Sequence, residues 1–206
     1  MQIVLVLYYS RNGSTAALAR QVCRGVESVA GVTAMLRTVP AVTTVIDAPA
    51  PAVPQSGPPY ASHEELARCD GLVLGIPTRF GNMAAPLKHF LDGTGASWAS
   101  GDLVGKPAGV FTSTSTLHGG HESTLLSMML PLLHHGMYLV GLPYTERALN
   151  ETQRGGSPYG ASHVSGGAAH AVLSEDEKTL AQALGRRVAT LAVQLQSVPA
   201  RARGGT

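Results

Sequence analysis

Three stretches of this 206-residue chain gather side chains suited to chemistry, and each follows a run of apolar residues. The first is Ser10, Arg11, Asn12, Gly13, Ser14 and Thr15, after the apolar stretch 3–9. Hydroxyls, small side chains and the free N–H groups of a helix N-terminus suit a phosphate monoester, with Arg11 the only formal charge in the loop. Neither GxxxxGK(S/T) nor GxGxxG occurs here, so recognition must come from hydroxyls and amides. The same residues also read as an Asn12-Gly13 turn with Ser14 capping a helix, and this stretch alone does not separate the two.

The second stretch is Pro77, Thr78, Arg79, Phe80, Gly81 and Asn82. A flat conjugated ring fits beside Phe80, with backbone amides as hydrogen-bond donors and Gly81 allowing close approach. The alternative is a tight turn with Arg79 solvated. The third has hydroxyls at five consecutive positions, 112–116, among them Ser113, Thr114, Ser115 and Thr116, followed by Gly119 and Gly120. Together the three suit a ligand with a phosphate at one end and a planar heterocycle at the other. A mononucleotide such as flavin mononucleotide (FMN) has that outline.

Other polar and aromatic residues carry less. Trp98 stands in the glycine-rich stretch 93–105, read as a loop, where it either fills space or stacks on a substrate. His134 and His135 end a helix before Gly136, the usual place for a capping histidine. Facing the crevice instead, His134 could hydrogen-bond a carbonyl or relay a proton. His118 and His121 have no third ligand at useful spacing, so no metal site is expected.

The elements that must hold these loops follow from periodicity. Buried strands are expected at 3–9, 32–39, 70–76, 107–112 and 137–142, and helices at 14–29, 84–91 and 122–135. Ser62 with Glu65, and Ser174 with Glu177, form capping boxes that open a short helix and a last long one ending near 196. Residues 40–60 hold six prolines and read as a surface loop, and 143–171 reads as irregular. Five alternations of strand and helix predict an α/β parallel sheet covered on both faces. Ligands bind such sheets at the carboxyl ends of the strands, where the strand order reverses. The loops after strands one, three and four meet at that edge. A single domain over 1–198 with a disordered tail at 199–206 is expected.

Composition sets the outer limits. A 44% hydrophobic, 14% charged chain folds to a packed globule, and its thin supply of charge points to an exterior covered by other subunits. Net charge is +2 with the basic residues scattered, which argues against nucleic acid. Cys23 and Cys69 lack a CxxC partner and read as reduced buried thiols. Met1 leads directly into the first strand and no apolar run reaches membrane length, so a cytoplasmic location is expected.

Several blocks in order resemble one family, the flavodoxin-like, WrbA-type NAD(P)H:quinone oxidoreductases. They are 4–10, 77–83, Phe90-Leu91-Asp92 with Thr94-Gly95, 98–101, Ser113-Thr114, 134–137 and 155–161. The resemblance implies a flavodoxin-like three-layer sandwich with a five-stranded parallel sheet in the order 2-1-3-4-5. It implies FMN held by 10–15 at the phosphate, 77–82 at the ring, and 113–119 at the ribityl chain and ring edge. It implies a homotetramer whose sites are completed by neighbouring subunits, with His134 beside the flavin as the catalytic histidine. Trp98, Phe80 and Asn12 would line the substrate pocket. Asn12 replaces a frequent aromatic of the family, and the stretch after Ser113 is rewritten and one residue longer. The activity implied is two-electron reduction of quinones by NAD(P)H, with both partners using one pocket in turn. A flavodoxin-type one-electron carrier and a non-catalytic flavin-binding regulator are the rival readings; carriers are typically strongly acidic, and this chain is not.

Overall fold

The computed structural model describes residues 1–43, 53–166 and 172–197. In chain order the elements are β1 (Gln2–Tyr8), α1 (Ser14–Glu27), β2 (Val32–Thr38), α2 (His63–Arg68), β3 (Gly71–Arg79), β4 (Asn82–Met83) and α3 (Ala85–Asp92). There follow α4 (Gly95–Ser100), β5 (Pro107–Thr114), α5 (His121–His134), β6 (Tyr138–Leu139), α6 (Arg147–Glu151), β7 (Ala161–Val164) and α7 (Glu175–Gln196).

β1 is apolar at successive positions because both its faces are covered. Val4, Val6 and Tyr8 enter the cluster under α1 and α7, whereas Leu5 and Leu7 enter the cluster under α2, α3 and α5. The sheet order is β2-β1-β3-β5-β6, all parallel, with β4 folded antiparallel onto the end of β3. Without that small hairpin this is the anticipated 2-1-3-4-5 order. α1 and α7 meet backbone to backbone. A Cβ on Gly25 would lie 2.0 Å from the Gln182 carbonyl oxygen, and one on Gly185 would lie 2.1 Å from that of Val22. Both capping boxes form, at Ser62 with Glu65 and at Ser174 with Glu177.

Four expectations are corrected. The third strand does not stop at Pro77 but continues to Arg79. Proline is tolerated there because β1 has already ended beside Gly75, so no strand on that side needs its N–H. The fourth strand does not end at Thr112: Ser113 and Thr114 belong to β5 rather than to a loop, because β7 pairs with them. Trp98 lies on α4, not in a loop; the short helix is closed by Gly101 in the left-handed region at φ 72°.

The fifth strand shrinks from 137–142 to Tyr138–Leu139. The rest of that edge is β7, which arises inside the stretch read as irregular. Ser162 and His163 of β7 are buried by pairing and packing, not by their own hydrophobicity, so no apolar run announced the strand. Residues 44–52 of the proline-rich stretch, 167–171, and the 199–206 tail lie outside the described residues. Among the described residues no helix is long and apolar enough to cross a membrane, and no His/Cys/Asp/Glu cluster could hold a metal.

Candidate active site

The first loop folds on itself, with the Gly13 N–H donating to Ser10 Oγ at 3.1 Å. Gly13, at φ 87°, is the N-cap of α1. Ser14 is therefore the first helical residue, and the reading of it as a cap falls. A glycine offers no side chain to cap the helix, and among the described residues no hydrogen bond occupies the N–H groups of Ser14, Thr15 or Ala16. Those donors, at the positive end of the helix dipole, favour an anion.

The other two loops are tied to this one and to each other. Thr15 Oγ1 lies 2.8 Å from Ser113 Oγ, and Thr112 Oγ1 donates to the Ile76 carbonyl at 2.7 Å. Thr78 Oγ1 lies 2.7 Å from Thr124 Oγ1 of α5. The turn from β3 to β4 is made by Phe80 and Gly81 at φ 54° and 77°, and Phe80 is the one non-glycine residue with positive φ among those described. A strained aromatic of this kind is held by its surroundings, and its ring is fully exposed. Behind it, a Cβ on Gly120 would come within 2.8 Å of Gly81 Cα, so the second and third loops touch only because both are glycine.

Thr114 donates its single hydroxyl proton to the Thr116 carbonyl at 2.7 Å, so His121 Nε2, 2.6 Å away, must carry a proton and donate. His121 Nδ1 is then a buried nitrogen without a partner. Burial, opposed mainly by Glu122, lowers its pKa and keeps the ring neutral.

The three loops line one small crevice that is open to solvent. Ser10, Arg11, Asn12, Ser14 and Thr15 line it from the first loop. Pro77, Thr78 and Arg79 line it from the second, and Ser113, Thr114 and Ser115 from the third. Gly13, Gly81 and Gly119 shape the backbone around it. Asn82 is exposed and turns its side-chain oxygen onto the Met83 N–H at 2.7 Å, and Thr116 contributes its carbonyl to the Thr114 hydroxyl. Ser165, absent from the sequence reading, completes the lining; its N–H donates to the Thr114 carbonyl at 2.8 Å as the chain leaves β7. Only recognition of β7 would have brought it to notice.

Trp98 and His134 are not brought to this crevice within one chain. Trp98 Nε1 donates to the His134 carbonyl at 3.0 Å, and Thr94 Oγ1 accepts from His135 Nε2 at 2.9 Å, so α4 is pinned to the far end of α5. His121 opens that 14-residue helix beside the crevice and His134 closes it, about 20 Å away by helical rise. Both Trp98 and His134 are exposed.

A second polar group missed in the sequence lies behind the crevice wall. Glu177 is wholly buried and accepts from His163 Nδ1 at 2.9 Å, Gly155 N–H at 3.1 Å, Val164 N–H at 3.0 Å and Ser174 N–H at 2.8 Å. Burial resists its ionisation, but the His163 bond and the backbone donors outweigh that and bring its pKa down to about 2. His163 pairs in register with Ser113, so this knot fixes the strand beside the crevice. The serine capping box pointed to Glu177 as a helix-start residue but not to its role between three segments.

Residues 1–146 match the model of the NADPH-dependent FMN reductase family. The chain is 46% identical over 202 residues to a protein of Solidesulfovibrio magneticus named NAD(P)H dehydrogenase (quinone), covering 94% of this chain and 99% of that one. It is 44% identical to a protein of the same name from Geobacter sulfurreducens, covering 93% and 98%. In three dimensions it is similar to a WrbA-like flavodoxin protein from Agrobacterium tumefaciens, with TM-score 0.68, 24% identity, and coverage of 94% and 99%. An archaeal flavodoxin shares the fold at TM-score 0.61 and 18% identity, covering 93% of this chain and 99% of that one. With a family match over most of the chain and such identity along nearly its full length, this protein belongs to the NADPH-dependent FMN reductase family, among its WrbA-type NAD(P)H dehydrogenases (quinone).

Proposed function

We propose that this protein is an FMN-dependent NAD(P)H dehydrogenase that reduces quinones to hydroquinones by two electrons. The observation that carries this reading is the meeting of three loops at one crevice whose donors are unsatisfied helix N–H groups and buried hydroxyls. That donor set fits FMN: Ser10 to Thr15 for the phosphate, Pro77 to Asn82 for the ring, and Ser113 to Thr116 with Gly119 for the ribityl chain and ring edge. When bound, FMN supplies the two-electron chemistry that no side chain offers.

The chain's own residues do the rest. Backbone N–H groups of the Phe80-Gly81 turn orient the ring, and Phe80 and Asn12 border the face where a nicotinamide or a quinone would lie. One pocket used in turn predicts ping-pong kinetics, seen as parallel double-reciprocal lines.

Trp98 and His134 take part across a subunit boundary in a homotetramer. The support is the outer face of α5, where Leu126, Leu130 and Leu133 are 44%, 59% and 53% exposed at helical spacing, beside Trp98 at 59%. A neighbour covering that face would set Trp98 as an aromatic wall, and His134 as a hydrogen-bond donor to a quinone oxygen, over another chain's crevice. A cytoplasmic location and a quinone as the small-molecule partner accompany this reading.

The decisive measurement is the absorbance spectrum of protein incubated with FMN, followed by NADH and NADPH oxidation with and without benzoquinone. A yellow protein with quinone-dependent oxidation is expected. A colourless protein, or one that only accumulates a stable one-electron semiquinone, would sink the proposal.

A further inference from the structure

Thr114 ends β5 in the wall of the crevice, and its side chain is met by His121, the first residue of α5. His121 Nε2 donates to Thr114 Oγ1 at 2.6 Å, and the Thr114 hydroxyl gives its own proton to the Thr116 carbonyl at 2.7 Å. The same carbonyl accepts from the Gly119 N–H at 3.1 Å, so it is turned into the loop. A Cβ on Gly119 would lie 2.8 Å from Thr116 Oγ1, which leaves the turn no slack. In a trans peptide the N–H points opposite to the carbonyl, so the Leu117 N–H is directed out of the turn. Among the described residues no hydrogen bond occupies the N–H of Ser115, Thr116 or Leu117. The loop therefore offers free donors and keeps that carbonyl to itself.

His121 is 4% exposed, and its Nδ1 is a buried nitrogen with no partner. An apolar side chain would pack there without leaving a polar atom unsatisfied, so packing alone is a poor account of the histidine. What an apolar side chain lacks is the Nε2 proton. That proton engages the Thr114 oxygen as an acceptor and so commits the single hydroxyl proton to Thr116. A charged ring would carry a second N–H at Nδ1, where nothing accepts it, so only the neutral ring holds this arrangement. Burial lowers the His121 pKa. Glu122 of its own helix, the Thr116 backbone and Glu177 of α7 oppose burial, and His163 of β7 adds to it.

We infer that His121 is a positioning residue of the flavin site: its neutral ring locks the third loop so that the N–H groups of Ser115 to Leu117 are presented to the ribityl chain and ring edge of FMN. This inference rests on the reading of the crevice as the FMN site. His121 acts through Thr114 and the loop that Thr114 holds.

The test compares wild type with His121→Gln and His121→Leu. Glutamine carries an amide N–H as many bonds from Cβ as imidazole Nε2, and leucine carries none. Ring nitrogen-15 NMR of the flavin-free protein at pH 7 should show His121 protonated at Nε2 and bare at Nδ1, its signals identified by their loss in His121→Gln. Quenching of flavin fluorescence then gives FMN affinity between pH 5 and pH 8. At pH 7 the leucine variant should bind FMN roughly fivefold more weakly, the weight of one hydrogen bond, and the glutamine variant within about twofold of wild type. The second ionisation of the FMN phosphate, at about pH 6, is common to all three proteins, so the ratio of wild-type to glutamine-variant affinity isolates the ring. That ratio should fall as the pH drops below 6.5, the ordinary value for histidine. Flavin-free His121→Leu should melt at the wild-type temperature. A proton at Nδ1, a glutamine variant as weak as the leucine one, or a ratio that does not change with pH would overturn the inference. So would an affinity loss matched by a collapse in melting temperature. If wild-type protein takes up no FMN at all, the crevice reading fails and this inference with it; if it binds FMN but carries the other ring tautomer, only this inference fails.

Discussion

The hydroxyl of Thr15, in the first turn of α1, lies 2.8 Å from that of Ser113 near the end of β5, and both residues are buried. Two loops separated by 98 positions are joined by this contact directly behind the proposed phosphate receptor. Either oxygen can donate, so the pair can redirect one hydroxyl proton toward an anion without losing the other bond. Replacing Thr15 by Val or Ser113 by Ala should weaken FMN binding by roughly fivefold each, the weight of about 1 kcal/mol for one hydrogen bond. If the two act as a unit, the double variant should lose little more than either single one. Flavin fluorescence titration reads this directly; full affinity in both variants would reduce the contact to packing.

A Cβ at Gly120 meets Gly81 Cα at 2.8 Å, and Gly120 itself sits at φ 92°. Gly120→Ala should therefore suffer both backbone strain and collision, about 1–3 kcal/mol in stability. Gly31 shares the left-handed backbone, at φ 79°, but has open space around it, so Gly31→Ala isolates the strain. Thermal melts with and without FMN should show a larger drop for Gly120→Ala and a smaller stabilisation by FMN. Equal behaviour of the two variants would mean that the loops can part without consequence.

Glu177 gives the protein an acid limit. Its pKa lies near 2 in the folded state, against 4.5 for the free group. A depressed carboxylate pKa stabilises the fold at pH values above 4.5, and that contribution disappears as the pH falls toward 2. Glu177→Gln keeps the shape but removes the charge that His163 and three backbone N–H groups bind, which should cost roughly 3–5 kcal/mol at pH 7. Urea melts between pH 2 and pH 7 should show a steep acid decline in the wild type and a flatter one in the variant. Parallel profiles would show that other carboxylates set the limit.

Both thiols should be silent in the native protein. Burial, assisted by Glu27, pushes Cys23 up to about 12, and burial pushes Cys69 up to about 11. Thiolate is the reactive form, so a disulfide-exchange reagent at pH 8 should label neither until denaturant is added, then both. Fast labelling of native protein would contradict the packing around them.

The exposed leucines of α5 supply a direct assay of assembly. Leu130→Glu should lower the molar mass seen by light scattering, and it should impair quinone reduction more than FMN binding, because in the proposed assembly the first draws on Trp98 and His134 across a subunit boundary. A monomeric wild type would remove this route entirely.

Much of the architecture was readable from local pattern. Successive apolar residues at 3–9 mark a strand covered on both faces, and Ser62 and Ser174 mark helix starts through capping boxes that depend on only four residues each. The stretches at 10–15, 77–82 and 112–116 were identifiable because hydroxyl and glycine density at the end of a buried strand is a local property, although their first residues in the last two cases belong to β3 and β5. β7 was not identifiable, since Ser162 and His163 have polar side chains and reach burial only through the partners they find. Trp98 was misplaced for a related reason: a helix of six residues between glycines has too little length for periodicity to register.

The chain's own sequence thus determined the strand and helix alternation, and with it the sheet edge where the three loops converge, because side-chain period and capping act over a few residues. Tertiary structure alone decided that Gly13, and not Ser14, caps α1, leaving helix donors free for an anion. It alone decided that Ser165 joins the crevice, that Glu177 is the knot behind it, and that His134 and Trp98 stand together at the opposite end of α5. The reason is physical: which groups meet depends on strand pairing and helix length between residues far apart in the chain, and no local spacing encodes those distances.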